Sequence, residues 1–339
     1  MAENQNILYA KLQFQKPQIN ISCPTAGRMW LVSLCALLAI LQSGFSDSFY
    51  SLILAMSAVI AAVLSEYLLI VHKGKTAVLK DGSAVATALI LTLLLPNSIS
   101  PVYAIMGSIF AIVVIKHCFG GLGSNWLNPA AGGWLFIRLS WPGVFNKALE
   151  GSSFSLLKET APTQAGFLEN TLLPFLDKTV FSMFKVELPV FYLDIFSSQQ
   201  PGIIADRGIL GLLIGTILII AFRAGRSWIS AVWLLVFVFF TRMSGANGSG
   251  LWEGDMLFSL CTGGTLAAAF ILAADPATNS KSNWCILGTA ALGGFLAWLF
   301  RFPGSEPYGA VYSIVVINAF LPIVRNLENH LLYRNRKII

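Results

Sequence analysis

The sequence predicts an all-α integral membrane protein with about ten transmembrane segments, arranged as two inverted five-helix repeats that contain short half-helices. Of its 339 residues, 56% are hydrophobic, and the mean hydropathy is +0.72. Only 11% are charged, whereas about 25% is usual in soluble domains. The formal net charge of +6 would suggest nucleic acid in a soluble chain, but here the basic residues lie at the ends of apolar runs, where they orient a membrane protein. We therefore expect membrane lipid as a partner and no nucleic acid.

Ten apolar runs account for the segment count. A helix needs about 17–25 apolar residues to cross a bilayer, and a run of about 10–14 is too short. Seven runs have the full length, and they lie near residues 29–45, 49–71, 102–118, 207–223, 226–242, 283–300 and 308–325. Three runs are shorter or interrupted, and they lie at 84–95, 128–140 and 261–274.

Two of the short runs resemble each other and indicate an internal repeat. The sequence SAVATALILTLLLP at 83–96 and the sequence GTLAAAFILAADP at 264–276 both begin beside glycine, continue through an apolar run and stop at proline. Because five crossings per repeat is an odd number, the second copy must be inverted in the membrane. Paired interrupted helices in inverted repeats mark a binding site near the middle of the bilayer.

The distribution of basic residues predicts the orientation of the chain. With the N-terminus in the cytoplasm, fourteen of the 22 Lys and Arg residues lie on the inside, as the positive-inside rule requires. Both termini are then cytoplasmic. The resulting regions are a cytoplasmic N-terminal segment (1–28), a first membrane repeat (29–142), an outer loop (143–206), a second membrane repeat (207–325) and a cytoplasmic tail (326–339).

A turn rich in glycine interrupts the apolar sequence with FGGLGSNWLNPAAGG at 119–133. It lacks the third glycine of a dinucleotide fingerprint and the Gly-Lys-Ser/Thr of a P-loop, while Asn128-Pro129 can begin a helix whose first N–H groups are free. Irregular backbone at membrane depth is tolerated only where it is buried in protein or lines a polar cavity. We predict a turn that lines a cofactor or ion site, with a plain tight turn between two helices as the alternative. The candidate cofactor-binding residues are Gly120, Gly121, Gly123, Asn125 and Asn128.

Three carboxylates in or beside the apolar runs are candidate residues of an ion pathway. An ionisable residue within a span is costly and is a functional candidate by default. Glu66 lies within the second run; the alternatives are a carboxylic acid hydrogen-bonded between helices and a side chain that reaches water. Asp81 is also a predicted N-terminal cap of the short helix at 84–95. Asp275 is a turn residue before Pro276 that could contact a flavin or an ion.

Metal ligands and catalytic side chains are not predicted. The five cysteines are scattered and form no CxxC pair. We therefore expect neither a zinc site nor a complete iron–sulfur set from this chain.

Four stretches of the chain resemble one membrane-protein family. They are LKDGSAVATALILTLLLP at 79–96, KHCFGGLGSNWLNPAAGGWLFIRLSWP at 116–142, DPATNS at 275–280 and NAFLPIV at 318–324. The pattern is similar to that of the D subunit of the Rnf ion-translocating ferredoxin:NAD oxidoreductase and of the homologous B subunit of the sodium-translocating NADH:quinone reductase. The resemblance covers nearly the whole chain. It implies a flavin-carrying subunit of a multisubunit complex in the bacterial inner membrane, which couples electron transfer between ferredoxin and NAD to translocation of Na⁺ or H⁺.

The resemblance also implies FMN esterified through its phosphate to a threonine on the outer face, where a flavin transferase attaches it. This chain lacks the family's Ser-Gly-Ala-Thr sequence in the outer loop. Spacing favours Thr179, because Lys185 follows it at the family's distance and Leu188-Pro189 comes next. The other threonines of the loop are Thr160, Thr163 and Thr171. Two alternatives remain: the chain carries no covalent FMN, or it binds a noncovalent riboflavin or FMN.

Two functions of other classes fit the same pattern. Paired half-helices in an inverted repeat suit a solute or ion channel equally well. Loss of the flavin attachment motif would suit a non-redox scaffold subunit. Flavin bound to the purified protein would distinguish the redox function from both.

Overall fold

The computed structural model describes residues 24–46, 49–71, 80–149, 202–244, 256–280 and 282–336, which fold mainly into helices. The first half contains α1 (Thr25–Ser46), α2 (Tyr50–Val71), α3 (Ser83–Leu93), α4 (Pro101–Phe110, continued by a π-helix over Ala111–His117), α5 (Pro129–Ser140) and α6 (Pro142–Leu149). The second half contains α7 (Ile204–Arg207), α8 (Ile209–Ala221), α9 (Ser227–Ser244), α10 (Met256–Cys261), α11 (Thr265–Ala267, continued by a π-helix over Ala268–Leu272), α12 (Asn283–Arg301) and α13 (Gly309–Arg336). Within these described ranges there is no strand, and an isolated bridge pairs Pro96 with Ile203.

These helices confirm the all-α membrane fold. Four of the described helices are long and apolar enough to cross a membrane, at Thr25–Phe45, Tyr50–Val71, Asn283–Arg301 and Gly309–His330. Each of the ten apolar runs predicted from the sequence corresponds to a helix, or to a helix continued by a π-helix. The orientation of the termini and the inversion of the second repeat stay predictions.

Some boundaries differ from those expected from the sequence. The first helix begins at Thr25, four residues before the predicted span at 29–45, and α13 continues past the predicted span end at 325 as far as Arg336. Most of the predicted tail is therefore helical, because Leu, Glu and Arg in this stretch are good helix formers that continue α13 beyond its apolar part. The outer loop begins within α6 and ends within α7, and Thr179 lies outside the described residues.

The two short helices lie at the centre of the molecule. In α3, every residue except Val85 is buried, and most of α11 and its π-helical continuation is buried as well. Each short helix follows a glycine in the left-handed conformation, Gly82 with φ of 73° and Gly264 with φ of 70°. Only glycine adopts this conformation readily. The sequence similarity of the two short runs is thus matched by the same backbone at their starts.

The first long helices of the two halves pack closely against each other. A Cβ added to Gly211 in α8 would lie 2.4 Å from the carbonyl oxygen of Leu38 in α1, and one added to Gly215 would lie 2.4 Å from Sγ of Cys35. Small residues of this kind let membrane helices approach closely. The α1–α8 contact therefore holds the two halves together beside the short helices.

Large apolar side chains cover the outside of the long helices. On α2, Met56 and Ile60 are more than half exposed, and Leu64 is exposed as well. On α8, Ile214 and Ile217 are exposed in the same way. Such exposed apolar faces are typical of membrane-spanning helices, which are hydrophobic on all sides because they contact lipid.

Candidate functional site

A pocket lies where the two halves of the chain meet, and we call it the central pocket. Its walls come from the beginnings of α1 and α3, the π-helical end of α4, the glycine-rich turn, the turn between α8 and α9, and the segment that follows α11. Most of the lining is apolar. The polar and charged residues that line it are Arg28, Ser83, Thr87, Lys116, Asn125, Asn128 and Asp275. The pocket thus brings together three of the residues that the sequence singled out, namely Asn125, Asn128 and Asp275.

A hydrogen bond between Asn128 and Asp275 joins the two halves at this pocket. The Asn128 Nδ2 atom donates to Asp275 Oδ2 at 2.8 Å, and the partners lie 147 residues apart in the chain. Asn128 is also the N-cap of α5, where its Oδ1 accepts from the N–H groups of Ala130 and Ala131, with Pro129 in the first turn. The helix start predicted from Asn128-Pro129 is therefore present. Both side chains are fixed by these bonds and can present a stable polar wall.

A buried ion pair lies beside the central pocket. Lys116 Nζ is 2.5 Å from Glu66 Oε1, and both side chains are only 1% exposed. His117 Nε2 lies 3.2 Å from the same carboxylate oxygen. Glu66 is therefore paired with a cation between helices, and it does not reach water. Desolvating two charges is costly unless each has a close partner and further hydrogen bonds, and this pair has both.

A serine connects this pair to the beginning of α3. Lys116 Nζ donates to Ser83 Oγ at 2.6 Å, and Ser83 Oγ donates to Asp81 Oδ1 at 2.6 Å. Asp81 Oδ1 also accepts from the backbone N–H of Ser83 at 2.8 Å. Asp81 thus binds the start of α3 from the position before Gly82, which occupies the N-cap itself. Two of the three predicted ion-pathway carboxylates, Glu66 and Asp81, belong to one hydrogen-bonded chain.

Lys116 is a candidate functional residue that sequence reasoning missed. By its position in the sequence it counts among the cytoplasmic basic residues that orient the chain, but the structure buries it within a helix end. The signal was available, because Lys116 directly follows the apolar run AIVVI and an ionisable residue in a span is a functional candidate by default. Its partner could not be read from the sequence, since Glu66 lies 50 residues away.

A wider cavity of about 710 Å³ adjoins the central pocket and shares Arg28, Gly225 and Pro276 with it. Its charged residues are Arg28, Arg223, Arg226, Arg325 and Glu328. We call it the arginine cavity. Glu328 accepts a hydrogen bond from the backbone N–H of Ser282, so its carboxylate has a partner within the protein.

The glycines of the turn determine its backbone conformation, and only one of them lines a cavity. Gly120, Gly121 and Gly123 all have positive φ values, of 111°, 93° and 87°. A Cβ added to Gly121 or Gly123 would meet no atom within 4 Å. These positions therefore favour glycine because of their positive φ values, and not because a larger side chain would clash. Gly123 lines the arginine cavity, whereas Gly120 and Gly121 are absent from the lining of both cavities. That the three glycines line a cofactor site therefore stays a prediction.

Asn125 offers an unused acceptor in the central pocket. Its side chain is 3% exposed, and its Oδ1 atom has no hydrogen-bond partner among the described residues. A buried acceptor without a partner costs about 1–3 kcal/mol. Such atoms in native structures call for an explanation, and a bound molecule with an N–H group at this place would supply one.

A second set of buried charges holds the turn before α11. Asp206 accepts from the N–H groups of Gly263 at 3.0 Å and Gly264 at 2.8 Å. Arg301 is fully buried and donates to the carbonyl oxygens of Ser259 at 2.7 Å and Thr262 at 2.8 Å. From the sequence, Arg301 would fall in a short outer loop. It is instead the last residue of α12 and fixes the start of the second short helix.

Among the described residues, no group of three or more His, Cys, Asp or Glu side chains could hold a metal ion. The cysteines of this part of the chain, Cys35, Cys118, Cys261 and Cys285, are free thiols. The polar groups of the central pocket are amides, hydroxyls, one carboxylate and two cations, which suit an organic ligand with N–H and C=O groups.

A family model described as the NQR2, RnfD, RnfE family matches residues 13–333. Two relatives are 28% identical, and each match covers 95% of both chains. One is the D subunit of the proton-translocating ferredoxin:NAD(+) oxidoreductase complex of Clostridium ljungdahlii. The other is the D subunit of the Na(+)-translocating ferredoxin:NAD(+) oxidoreductase complex of Acetobacterium woodii.

A third relative is the D subunit of the ion-translocating oxidoreductase complex of Alcanivorax borkumensis, which is 30% identical over 81% of this chain and 82% of its own. The first two relatives are equally similar to the chain and yet are named for different ions. Overall similarity therefore does not decide between Na⁺ and H⁺.

Proposed function

Because the chain belongs to the NQR2, RnfD, RnfE family, we propose that it is a flavin-carrying membrane subunit of an Rnf-type complex. The complex couples electron transfer between ferredoxin and NAD to translocation of Na⁺ or H⁺, as the names of the relatives indicate for those proteins. The chain is then one part of an ion-translocating oxidoreductase and is not catalytic alone. Its partners are the other subunits of the complex, in the bacterial inner membrane with both termini in the cytoplasm.

The observation that carries the proposal is the composition of the central pocket. A flavin ring has flat apolar faces and one edge that carries N–H and C=O groups. Met29, Val32 and Ile271 offer apolar contacts, and the unpartnered Oδ1 of Asn125 can accept a hydrogen bond from the ring N–H. Mostly apolar pockets with a few placed polar groups are typical of cofactor sites. We propose that a noncovalent riboflavin or FMN binds here.

The flavin needs both cavities. The free volume of the central pocket is about 80 Å³, whereas that of the arginine cavity is about 710 Å³. The polar edge of the ring therefore enters the central pocket, and the rest of the molecule occupies the wider space. A bound flavin supplies one- and two-electron transfer chemistry. The residues of this chain bind the flavin, orient it and keep water from the pocket.

Glu66 and Lys116 are the proposed coupling residues. Lys116 lines the central pocket and also neutralises Glu66. A change in the charge of a molecule bound in the pocket would therefore act on the same ammonium group that pairs with Glu66. Glu66 can receive Na⁺ or a proton only when Lys116 moves away from it. Ser83 and Asp81 hold Lys116 from the other side, and they continue a polar path towards the beginning of α3. Asp275 takes part through its bond to Asn128 at the pocket wall.

The flavin content of the purified chain tests this function. We expect a flavin absorption spectrum in the native protein and release of the chromophore on denaturation. Asn125→Leu keeps the size of the side chain but removes the acceptor. It should lower the flavin content. With flavin removed from both proteins, the variant should unfold at no lower a temperature than the unmodified chain, since it removes an unsatisfied buried group. If the purified chain carries no flavin, the channel and scaffold functions are the remaining hypotheses. Full flavin content in Asn125→Leu would contradict the proposed hydrogen bond between Asn125 and the flavin ring.

A covalent FMN on Thr179 is a separate part of the proposal, and it rests on the spacing to Lys185 and on the family resemblance. A flavin transferase would attach it. In-gel flavin fluorescence should persist after denaturation in the unmodified chain expressed with the transferase. Thr179→Val should abolish it while membrane insertion stays intact. A fluorescent band in that variant would exclude Thr179, and its absence from the unmodified chain would exclude covalent attachment.

A further inference from the structure

A small pocket lies within the second half of the chain, between α9, α12, α13 and the π-helical end of α11, and we call it the second-half pocket. Its free volume is about 20 Å³. A cavity needs roughly 10–15 Å³ to hold a water molecule, so this one has room for a single water and not for an organic ligand. It shares Ile229 and Asn279 with the arginine cavity, so the two spaces adjoin. The polar residues that line it are Trp233, Thr278, Asn279, Thr289 and Asn318.

Two buried donors at this pocket lack an acceptor. Trp233 is 1% exposed and Asn318 is 2% exposed. Trp233 Nε1 and Asn318 Nδ2 have no hydrogen-bond partner among the described residues. Gly293 lines the same pocket, and a Cβ there would lie 2.8 Å from Trp233 Nε1, so glycine makes room for the indole ring. An unsatisfied buried donor costs about 1–3 kcal/mol, and two of them at one pocket indicate a bound acceptor.

Other polar groups of the pocket have already given their hydrogens to the backbone. Thr289 Oγ1 donates to the carbonyl oxygen of Cys285 at 3.0 Å. Asn279 Nδ2 donates to the carbonyl oxygens of Ala273 at 2.9 Å and Asp275 at 2.8 Å. The hydroxyl oxygen of Thr289 and the amide oxygen of Asn279 are therefore left to act as acceptors.

The pocket thus combines N–H groups that need an acceptor with oxygens that can accept, and this combination selects the ligand. Among the described residues, no charged side chain lines the pocket. A chloride ion would be buried there without a cation, which is costly, and it has no hydrogen for the oxygens. A Na⁺ ion would be repelled by the positive ends of the N–H groups. A water molecule satisfies both kinds of group, because it can accept two hydrogen bonds and donate two.

We propose that the second-half pocket binds one ordered water molecule, which accepts hydrogen bonds from Trp233 and Asn318 and donates to the oxygens of the pocket. This site is separate from the proposed flavin site. Trp233 belongs to α9, Thr289 to α12 and Asn318 to α13, so the water joins three long helices. Asn279 follows Asp275 in the segment after α11, so the water also holds the segment that carries this carboxylate to the central pocket.

Radiolytic hydroxyl-radical labelling of the full chain in nanodiscs, read by mass spectrometry, tests the site. Radicals form where a bound water lies, so Trp233 should be labelled although it is buried. Phe237 is fully buried, stacks on Trp233 with ring centroids 5.7 Å apart and does not line the pocket, so it should stay unlabelled. Asn318→Leu removes one donor and adds apolar volume, and we expect the labelling of Trp233 to be lost. Asn326→Leu is the matched control, because Asn326 is an exposed residue of the same helix that does not line the pocket.

Each other outcome would overturn the water site. Unlabelled Trp233 in the unmodified chain would mean that the pocket is dry. Labelling that persists in Asn318→Leu, or that extends to Phe237, would mean general access of solvent to this part of the bundle. A label on Trp233 that disappears when chloride replaces sulfate in the buffer would assign the pocket to an anion instead. Thr289→Val, which removes one acceptor at nearly the same shape, should give the same loss of label and repeats the test should Asn318→Leu not fold.

Discussion

Single residues of the site are held by partners that lie far apart in the sequence. Lys116 contacts both Glu66 and Ser83, and Asn128 contacts Asp275 across the two halves. A buried charge that loses its partner costs far more than a buried pair removed as a whole. Single and double substitutions at one pair therefore separate its structural role from its part in ion transfer.

The Glu66–Lys116 pair makes the first prediction. Glu66→Gln leaves the Lys116 ammonium buried without its carboxylate, and we expect a loss of about 3–5 kcal/mol in the free energy of unfolding. The double variant Glu66→Leu, Lys116→Met removes both charges and keeps apolar volume, so its stability should return to near the unmodified value. The unfolding temperature in detergent measures both. Equal stability of the single and double variants would contradict a buried ion pair.

The same double variant tests the coupling role. In the reconstituted complex, electron transfer should continue while ion translocation falls, because no carboxylate remains to receive the ion. Ion flux into proteoliposomes, measured beside the rate of electron transfer, gives the ratio of ions to electrons. An unchanged ratio in the stable double variant would mean that the pair is only structural.

At the scale of elements, the two short helices depend on the turns that start them. Gly82 precedes α3 and Gly264 precedes α11, both in a conformation that an L-residue enters at a cost. A Cβ at Gly82 would also lie 2.8 Å from Cε2 of Trp30 in α1, and one at Gly264 would lie 2.8 Å from Cδ1 of Ile203. Both helices carry pocket-lining residues at or near their ends, so the turns position the site.

We expect Gly82→Ala and Gly264→Ala each to lower stability by about 1–2 kcal/mol, from backbone strain alone. Gly288→Ala is the matched control, because this glycine lies in α12 and a Cβ there meets no atom within 4 Å. Alanine in a helix interior should keep or raise stability, by up to about 1 kcal/mol. The unfolding temperatures of the three variants give the comparison. A Gly82→Ala variant as stable as Gly288→Ala would contradict a requirement for glycine at the start of α3.

At the scale of the whole molecule, the halves meet along the α1–α8 contact, at the Asn128–Asp275 bond and at an ion pair between Arg138 and Glu306, whose atoms lie 2.8 Å apart. Arg138 also lies over the ring of Phe145 at 5.3 Å. Of these contacts, the Asn128–Asp275 bond lies at the central pocket, which is lined by residues of both halves.

The orientation of the molecule makes a prediction that reporter fusions can check. Fusions after residue 337 and within 150–200 should report opposite compartments, with the C-terminal fusion in the cytoplasm. This follows from the fourteen basic residues assigned to the inside. Reports from the same side for both fusions would mean that the number of crossings between them is wrong.

The sequence predicted those parts of the fold that depend on local properties. Run length and hydropathy were sufficient for the ten apolar segments, and Asn128-Pro129 was sufficient for the start of α5, because an N-cap bonds within its own turn. Partners that meet only through tertiary folding were not predictable, as Lys116 with Glu66 shows. The pattern of glycines also could not tell a residue that shapes a turn, such as Gly121, from one that lines a cavity, such as Gly123.

The most direct test of the central claim, that flavin binds where the two halves meet, is photoaffinity labelling of the flavin-free full chain with 8-azidoriboflavin, followed by peptide mapping. We predict labels on residues of the central pocket, such as Met29, Leu122 and Phe270, which are suppressed by excess unmodified riboflavin. Labelling confined to other parts of the chain, or labels at the pocket that excess riboflavin does not suppress, would contradict the account.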